Sequence, residues 1–108
     1  MLSKKNRVDK KNIDLLFKQG QFLSSNTITL KFLLTKQGNP AKISFIAPKS
    51  VAKLATKRNK LRRCGYTAVS KYIKDFPLGL IGAFVFKKYE EKISIIEDEI
   101  KTILNKIN

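Results

Sequence analysis

The sequence predicts a single α+β domain, with elements in the order α-β-β(-β)-α-β-α and helices packed on a central, mostly antiparallel sheet. Its length of 108 residues is sufficient for one modest core but not for two. Segments with helical spacing of apolar residues alternate with segments typical of strands. The segment 80–86, LIGAFVF, is too continuously apolar for a surface strand, so we expect it in the middle of the sheet.

The first predicted helix follows a basic leading segment. Asp9 can cap its N-terminus, and Gly20 can end it. Between them, Ile13, Leu16 and Phe17 recur at i, i+3 and i+4, as on one face of a helix. Apolar residues at such positions are usually core residues.

Two strands are predicted next. Residues 27–35 alternate apolar with polar side chains, as a half-buried strand does (Ile28, Leu30 and Phe32 against Thr27, Thr29 and Lys31). Residues 36–40, KQGNP, form a turn. Residues 42–47 predict a second strand with Ile43 and Phe45 on one face. We expect these two strands to pair as a hairpin, in a sheet of three or four strands.

The segment 51–73 has a conflict between charge and burial. In one unbroken helix, Arg58 and Arg62 would share a stripe with apolar residues such as Val69, where an unpaired guanidinium is unfavourable. We therefore predict a short helical turn, an interruption near Arg58 and Asn59, and a longer helix capped by Asn59. The alternative is that Arg58 lies half-buried and orients the loop through a carbonyl or an acid.

The C-terminal third contains the apolar strand and an amphipathic helix. Asp75, Pro77 and Gly79 stop the preceding helix. A helix is predicted over 89–107, with isoleucine and leucine along one face. Five of the eight acidic residues of the chain lie on its other side, apart from the basic stretch described next: Glu90, Glu91, Glu97, Asp98 and Glu99.

The most strongly charged stretch runs from Pro48 to Arg63. It contains no acid and seven cations: Lys49, Lys53, Lys57, Arg58, Lys60, Arg62 and Arg63. Cations this close repel one another, so their clustering indicates an anionic partner, although a solvated helix face is the alternative. Guanidinium groups suit bidentate phosphate contact. The net charge of +15 and pI near 10.2 predict salt-sensitive binding to a polyanion.

The residue order of this stretch resembles the protein subunit of bacterial ribonuclease P. Members of that family carry a strand ending in a Ser/Pro-Lys-Lys turn, a basic spacer residue, and R-N-R-x-[KR]-R on a crossover helix. This chain has F-I-A-P-K at 45–49, then Lys53, then R-N-K-L-R-R at 58–63. Ser50 replaces the second lysine of the turn, and Lys60 replaces an arginine. At position 60 a planar guanidinium that can bind phosphate through two hydrogen bonds is thus replaced by an ammonium point charge. The pattern from Arg7 to Gly20 resembles the first helix of the family, which usually has phenylalanine at the position of Ile13.

The resemblance implies one RNA-binding domain over residues 1–108, similar to the second domain of a ribosomal protein. It also implies a left-handed β-α-β crossover, against the general rule. The residues implied to bind the RNA subunit are Lys49, Lys53, Lys57, Arg58, Asn59, Lys60, Arg62 and Arg63. Those implied to border a cleft for the 5′ leader of precursor tRNA are Ile13, Phe17, Ile28, Lys31 and Phe45.

The cleft departs from the family pattern. Lys31 stands where the family commonly has tyrosine, so we expect the leader to be held more by charge and less by stacking. A register shift of one residue would place Phe45 in the core and Ser44 in the cleft.

The residues argue against a catalytic site made of protein alone. The chain has no histidine, and its one cysteine, Cys64, is expected to fill space. The resemblance implies that the catalytic RNA subunit cleaves precursor tRNA with Mg²⁺ bound mainly by RNA, with no catalytic or metal-binding side chain and no protein partner. No apolar run approaches the roughly 20 residues that span a bilayer, so we expect a cytoplasmic protein without membrane contact.

Other function classes remain open. A ribosomal or structural RNA-binding protein with a basic docking helix and no part in cleavage would differ only in its RNA partner. A DNA-binding module is disfavoured because no pair of short helices with a glycine turn is present. A membrane-surface role is weaker, because the most amphipathic helix is also the most acidic.

Overall fold

The computed structural model describes residues 10–36 and 38–107, in which three α-helices surround a four-stranded sheet. A 3-10 turn over Ile73–Asp75 precedes the last strand. The order matches the prediction, whereas the predicted cap Asp9 lies outside the described residues. The elements are α1 (Lys10–Gln19), β1 (Gln21–Ser24), β2 (Ile28–Leu34), β3 (Lys42–Ile46), α2 (Ala55–Ser70), β4 (Leu80–Phe86) and α3 (Ile93–Ile107).

The apolar strand β4 lies inside the sheet, whose strand order is β1-β2-β4-β3. It pairs antiparallel with β2 and parallel with β3, while β1 and β2 are antiparallel. The central position of β4 and the mostly antiparallel sheet are confirmed. The segment β3-α2-β4 is a crossover between parallel neighbours, and its left-handedness stays a prediction.

The predicted hairpin is wrong. β2 and β3 are consecutive strands, but Gly82 of β4 stands opposite both Phe32 and Ile43, so β4 separates them. β4 is largely buried on both faces and therefore takes the inner position. β2 and β3 run in opposite directions, but on either side of β4, so the reversal of the chain between them did not decide which strands pair. The fourth strand, β1, is a mostly exposed edge strand of four residues that pairs with β2.

The sheet has a core on each face. On one face, α2 and α3 cover the aromatic and aliphatic residues of the strands, with Leu61 of α2 and Ile100 of α3 fully buried. On the other face, Leu16 of α1 packs against Ala83. Gly20 follows the last residue of α1, and its N–H donates to the carbonyl of Leu16, so the predicted end of this helix is confirmed.

The predicted interruption near Arg58 is wrong in position. α2 is continuous through Arg58 and Asn59, and the irregular segment lies earlier, over residues 52–54. The alternative is confirmed: Arg58 is partly buried, and its Nη1 donates to the carbonyl oxygens of Ala52 (3.0 Å) and Lys53 (2.8 Å). The loop carbonyls satisfy the guanidinium, which removes the conflict that the break was meant to solve.

The last helix is shorter than the predicted range 89–107. α3 begins at Ile93, and residues 89–92 form a connecting segment before it.

A carboxylate ties α3 to the turn between β1 and β2. Glu99 accepts hydrogen bonds from the Ser25 hydroxyl and from the Thr27 backbone N–H (2.6 Å). Burial alone would raise the pKa of Glu99, but these hydrogen bonds hold its pKa below the usual value. The charged form of Glu99 therefore stabilises this turn.

We predict that Glu99→Gln lowers the free energy of unfolding by about 1 kcal/mol at pH 7, because the bonds lose their charge assistance at a partly exposed site. The folded-state pKa lies below the unfolded value of about 4.3, so the contribution is present above that pH and is lost as the pH falls through the folded-state pKa. Urea unfolding at pH 7 and at pH 3 measures the difference from wild type, which should shrink in acid.

Glu97→Gln is the control for this prediction. Glu97 lies on the same helix and pairs with exposed Lys71 (3.0 Å), so its loss should change stability little. If the difference in unfolding free energy between wild type and Glu99→Gln is equal at both pH values, the role assigned to the charge of Glu99 is contradicted.

Candidate nucleic-acid interface

The basic surface is formed by the loop before α2 and by the outward side of that helix. It consists of the eight residues predicted to bind RNA: Lys49, Lys53, Lys57, Arg58, Asn59, Lys60, Arg62 and Arg63. α2 turns Leu61, Gly65, Ala68 and Val69 toward the core, whereas the cations Lys57, Lys60 and Arg63 lie on its exposed side. The lysines, Asn59 and Arg63 are exposed, while Arg58 and Arg62 are partly buried.

The arginines of this surface differ in what they contact. Arg58 holds the loop carbonyls described above. Arg62 donates from Nη2 to the Oδ1 of Asn59, so Asn59 orients an arginine instead of capping a helix as predicted. The N-terminus of α2 has Leu54 as its cap residue, without a side-chain cap hydrogen bond. Arg62 and exposed Arg63 are therefore the guanidiniums best placed for an external anion.

An acid lies within the basic surface. The carboxylate of Glu91 is 3.3 Å from Nζ of Lys60 and 4.0 Å from Nζ of Lys57, and it accepts a hydrogen bond from the Tyr89 hydroxyl. The predicted separation of acids from the basic stretch thus has an exception. The bond from Tyr89, followed by the contact with Lys60, lowers the pKa of Glu91. The same bond raises the pKa of Tyr89 to about 12.

Cys64 lies beside this acid. Its side chain packs against the core, and its Sγ donates weakly to the backbone carbonyl of Glu91 (3.6 Å). Burial, and then the charge of Glu91, raise the pKa of the thiol, which disfavours a reactive thiolate. The geometry agrees with a space-filling role.

A second candidate surface, called the groove here, lies beside α1, on the face of the sheet that α1 covers. The structure brings together two predicted cleft residues, because Nζ of Lys31 is 4.5 Å from the centroid of the Phe17 ring. The Phe17 side chain is 46% exposed. Ile13 is partly buried and packs against the small core beneath α1.

Sequence reasoning missed one groove residue. Phe22 stands directly opposite Lys31 in the antiparallel pairing of β1 with β2, and it is 68% exposed. Cross-strand partners project from the same face of a sheet, so Phe22 lies on the face that carries Lys31 and Phe17. The available signal was a lone aromatic residue, two residues after the helix-ending Gly20.

The placement of Ile28 and Phe45 in the groove is wrong. Ile28 is 0% and Phe45 is 3% exposed, on the face covered by α2 and α3. Residues 28 and 31 are an odd number of positions apart, so a strand points them to opposite faces. The register alternative holds for Phe45, whose ring stacks on Phe84 (5.0 Å between centroids), whereas Ser44 pairs with Ala83 on the α1 face.

Neither a metal centre nor a membrane span is found in the part of the chain that the structure describes. No group of three or more His, Cys, Asp or Glu residues there could hold a metal ion. None of the helices in residues 10–36 and 38–107 has the length and apolar character to cross a bilayer.

Comparisons with known proteins agree on one family and one fold. Residues 2–108 match the family model described as Ribonuclease P. The RNase P protein of Staphylococcus aureus has a similar structure (TM-score 0.80, 13% identity, 97% of each chain covered). That of Thermotoga maritima is also similar (TM-score 0.81, 17% identity, 94% of this chain and 97% of that chain covered). Identities this low show a common fold, and no curated protein sequence matches the chain.

We predict that Arg58→Ala destabilises the fold and that Arg63→Ala does not, because Arg58 bonds the loop and Arg63 is exposed. Arg58→Ala removes the donor to two loop carbonyls and should lower the free energy of unfolding by about 1–2 kcal/mol. Arg63→Ala is the matched control and should change it by less than about 0.5 kcal/mol. Urea unfolding followed by circular dichroism measures both, and equal losses would contradict the structural role of Arg58.

Proposed function

The chain belongs to the ribonuclease P protein family, and we propose that its two surfaces bind two different parts of the RNA assembly. The chain is the protein component of ribonuclease P, the ribonucleoprotein endonuclease that matures the 5′ ends of tRNA. In this proposal the basic surface binds the catalytic RNA subunit. The groove binds the 5′ leader of precursor tRNA.

The concentration of cations on one side of α2 is the observation that carries this proposal. α2 is held to the sheet by its apolar side, so the exposed cations of the basic surface form a fixed, outward-facing array. RNA phosphates repel one another, and an array of ammonium and guanidinium groups screens that repulsion. Arg62, oriented by Asn59, can offer a bidentate fork, whereas Lys60 offers a point charge.

The cleavage chemistry is assigned to the RNA subunit, with Mg²⁺ bound mainly by RNA. When bound there, magnesium activates water for attack on the phosphodiester. The protein contributes binding and charge: it holds the RNA subunit and extends the contact surface to the leader. We further propose that the protein works in the cytoplasm, where precursor tRNA is made in bacteria.

The groove is suited to an unpaired strand. Phe17, whose ring contacts the Lys31 ammonium, and Phe22, the cross-strand partner of Lys31, offer exposed rings on one face of the sheet. Stacking contributes about 1–3 kcal/mol per base with little dependence on sequence, and the lysine attracts the backbone. Because Phe22 takes the place expected of Phe45, the groove keeps two aromatic contacts and combines stacking with charge.

Reconstitution tests the basic surface. We predict that the protein, mixed with a bacterial ribonuclease P RNA, supports cleavage of precursor tRNA at low Mg²⁺. A variant with alanine at Lys60, Arg62 and Arg63 should bind this RNA more weakly, and the slope of log affinity against log salt should fall by about two to three, since up to three phosphate contacts are lost. Filter binding over a salt series measures both quantities.

The control for charge is a variant with alanine at Lys74, Lys101 and Lys106, which are exposed cations outside the basic surface. It has the same net charge as the test variant. Equal losses in both variants would indicate uniform attraction to RNA and contradict a docking surface on α2. Failure of the wild-type protein to support cleavage, with RNA binding intact, would favour a structural RNA-binding role.

Precursor tRNA with and without its leader tests the groove. We predict that Phe17→Ala, Phe22→Ala and Lys31→Ala each weaken binding of the leader-bearing substrate to the holoenzyme by roughly threefold to tenfold and spare mature tRNA. Leu78→Ala, at another exposed apolar residue, is the control. Equal losses for both substrates, in variants shown to be folded by circular dichroism, would remove the groove from leader binding.

A further inference from the structure

Glu91 stands out among the acidic residues because of what surrounds its carboxylate. Two ammonium groups and one hydroxyl surround it: Nζ of Lys60 at 3.3 Å, Nζ of Lys57 at 4.0 Å, which is an ion-pair distance and too long for a hydrogen bond, and the hydroxyl of Tyr89, which donates a hydrogen bond. By contrast, Glu97 pairs with Lys71, and Glu99 binds the β1–β2 turn. Within residues 10–36 and 38–107, Glu91 is the acid whose ion pairs are with cations of the basic surface.

A phosphate oxygen accepts hydrogen bonds from the same kinds of donor that surround the Glu91 carboxylate. Charge-assisted hydrogen bonds from ammonium groups, joined by a neutral hydroxyl, suit any compact oxyanion. The site is open to solvent, because the side chains of Lys57 and Lys60 are 52% and 51% exposed and that of Glu91 is 35% exposed. An incoming phosphate can therefore reach the three donors from outside.

The acid is held by its backbone more than by its side chain. The Glu91 carbonyl accepts from Cys64, which packs against the core, so this point of the chain is anchored. The carboxylate is linked through rotatable bonds, and exposed ion pairs of this kind are weak. The side chain can leave its donors without disturbing the fold.

Taking the RNA-binding role of the basic surface from the proposed function, we infer that Lys57, Lys60 and Tyr89 form an RNA phosphate site that the Glu91 carboxylate occupies in the free protein. The RNA phosphate replaces the carboxylate when the subunit docks. Two anions do not share the donors, because their charges repel, so Glu91 turns outward. The carboxylate thereby lowers the affinity of the free protein for polyanions in general.

Lysine at position 60 fits this exchange. The resemblance places an arginine at this position in the family pattern, and an arginine fork binds one carboxylate in a fixed planar geometry. An ammonium group has three rotatable donors and no preferred plane. Lys60 can therefore pass from Glu91 to a phosphate with little reorientation.

The first test is Glu91→Gln, which removes the charge and nearly preserves the shape. RNA affinity should rise roughly twofold to tenfold at low salt, since two cations are released from exposed ion pairs, and the gain should shrink as salt is added. Glu97→Gln is the control: it makes the same chemical change on the same side of the sheet, but its partner Lys71 lies outside the basic surface. Its gain should be smaller.

The second test locates the effect at the three donors. The gain from Glu91→Gln should largely disappear when Lys57 and Lys60 are alanine, because the carboxylate acts through them. In the Glu91→Gln protein, Tyr89→Phe should weaken RNA binding roughly twofold to fivefold, the loss of one hydrogen bond to phosphate. Thermal unfolding of each variant confirms that the comparison is between folded proteins.

The outcomes separate this inference from the proposed function. Unchanged or weaker RNA binding by Glu91→Gln, or a gain no larger than that of Glu97→Gln, overturns the phosphate site even where wild-type protein supports cleavage. Binding is therefore measured with ribonuclease P RNA and with an unrelated RNA of equal length. A gain on both RNAs, without cleavage in reconstitution, supports the phosphate site and overturns the proposed function.

Discussion

The contact between the Phe45 ring and Gly65 determines where the basic surface lies. A Cβ atom at Gly65 would come within 2.4 Å of the ring, so only glycine allows α2 to approach the sheet this closely. Tyr66, the next residue, packs edge-on against the same ring, and its hydroxyl accepts a hydrogen bond from the Phe45 N–H (3.2 Å). The edge strand β3 is thereby joined to the helix. Because this side of α2 is fixed, its cations face away from the sheet.

Holding so many cations on one helix has an electrostatic cost, and the fold reduces it in three ways. Arg58 is directed to loop carbonyls, Arg62 to Asn59, and Lys57 and Lys60 to Glu91. Each contact uses a residue close to the helix and leaves the apolar packing unchanged. The carbonyl and amide oxygens solvate the guanidiniums, and Glu91 partly neutralises the two lysines, while the exposed cations remain accessible to RNA.

Local sequence patterns predicted the strands and helices, which depend on neighbouring residues. They did not predict strand pairing or side-chain contacts between residues that are distant in the sequence. The alternation around Leu30 placed β2 and its faces correctly, and the apolar composition of 80–86 placed β4 inside the sheet. The insertion of β4 between β2 and β3 rests on long-range burial, for which a turn signal is no guide. Glu91 and Lys60 are 31 positions apart, and no local pattern links them. The grouping of Ile28 with Lys31 contradicted the strand alternation that was already recognised.

The exposed ring of Phe22 has a consequence for how the protein behaves in solution. Exposed aromatic groups favour association between copies of a chain, but a net charge of +15 keeps those copies apart. The range of that repulsion is about 10 Å at 0.1 M salt and about 3 Å at 1 M. Salt that strips bound RNA from the protein also removes its protection against self-association, so RNA-free protein at high ionic strength is the form most exposed to aggregation.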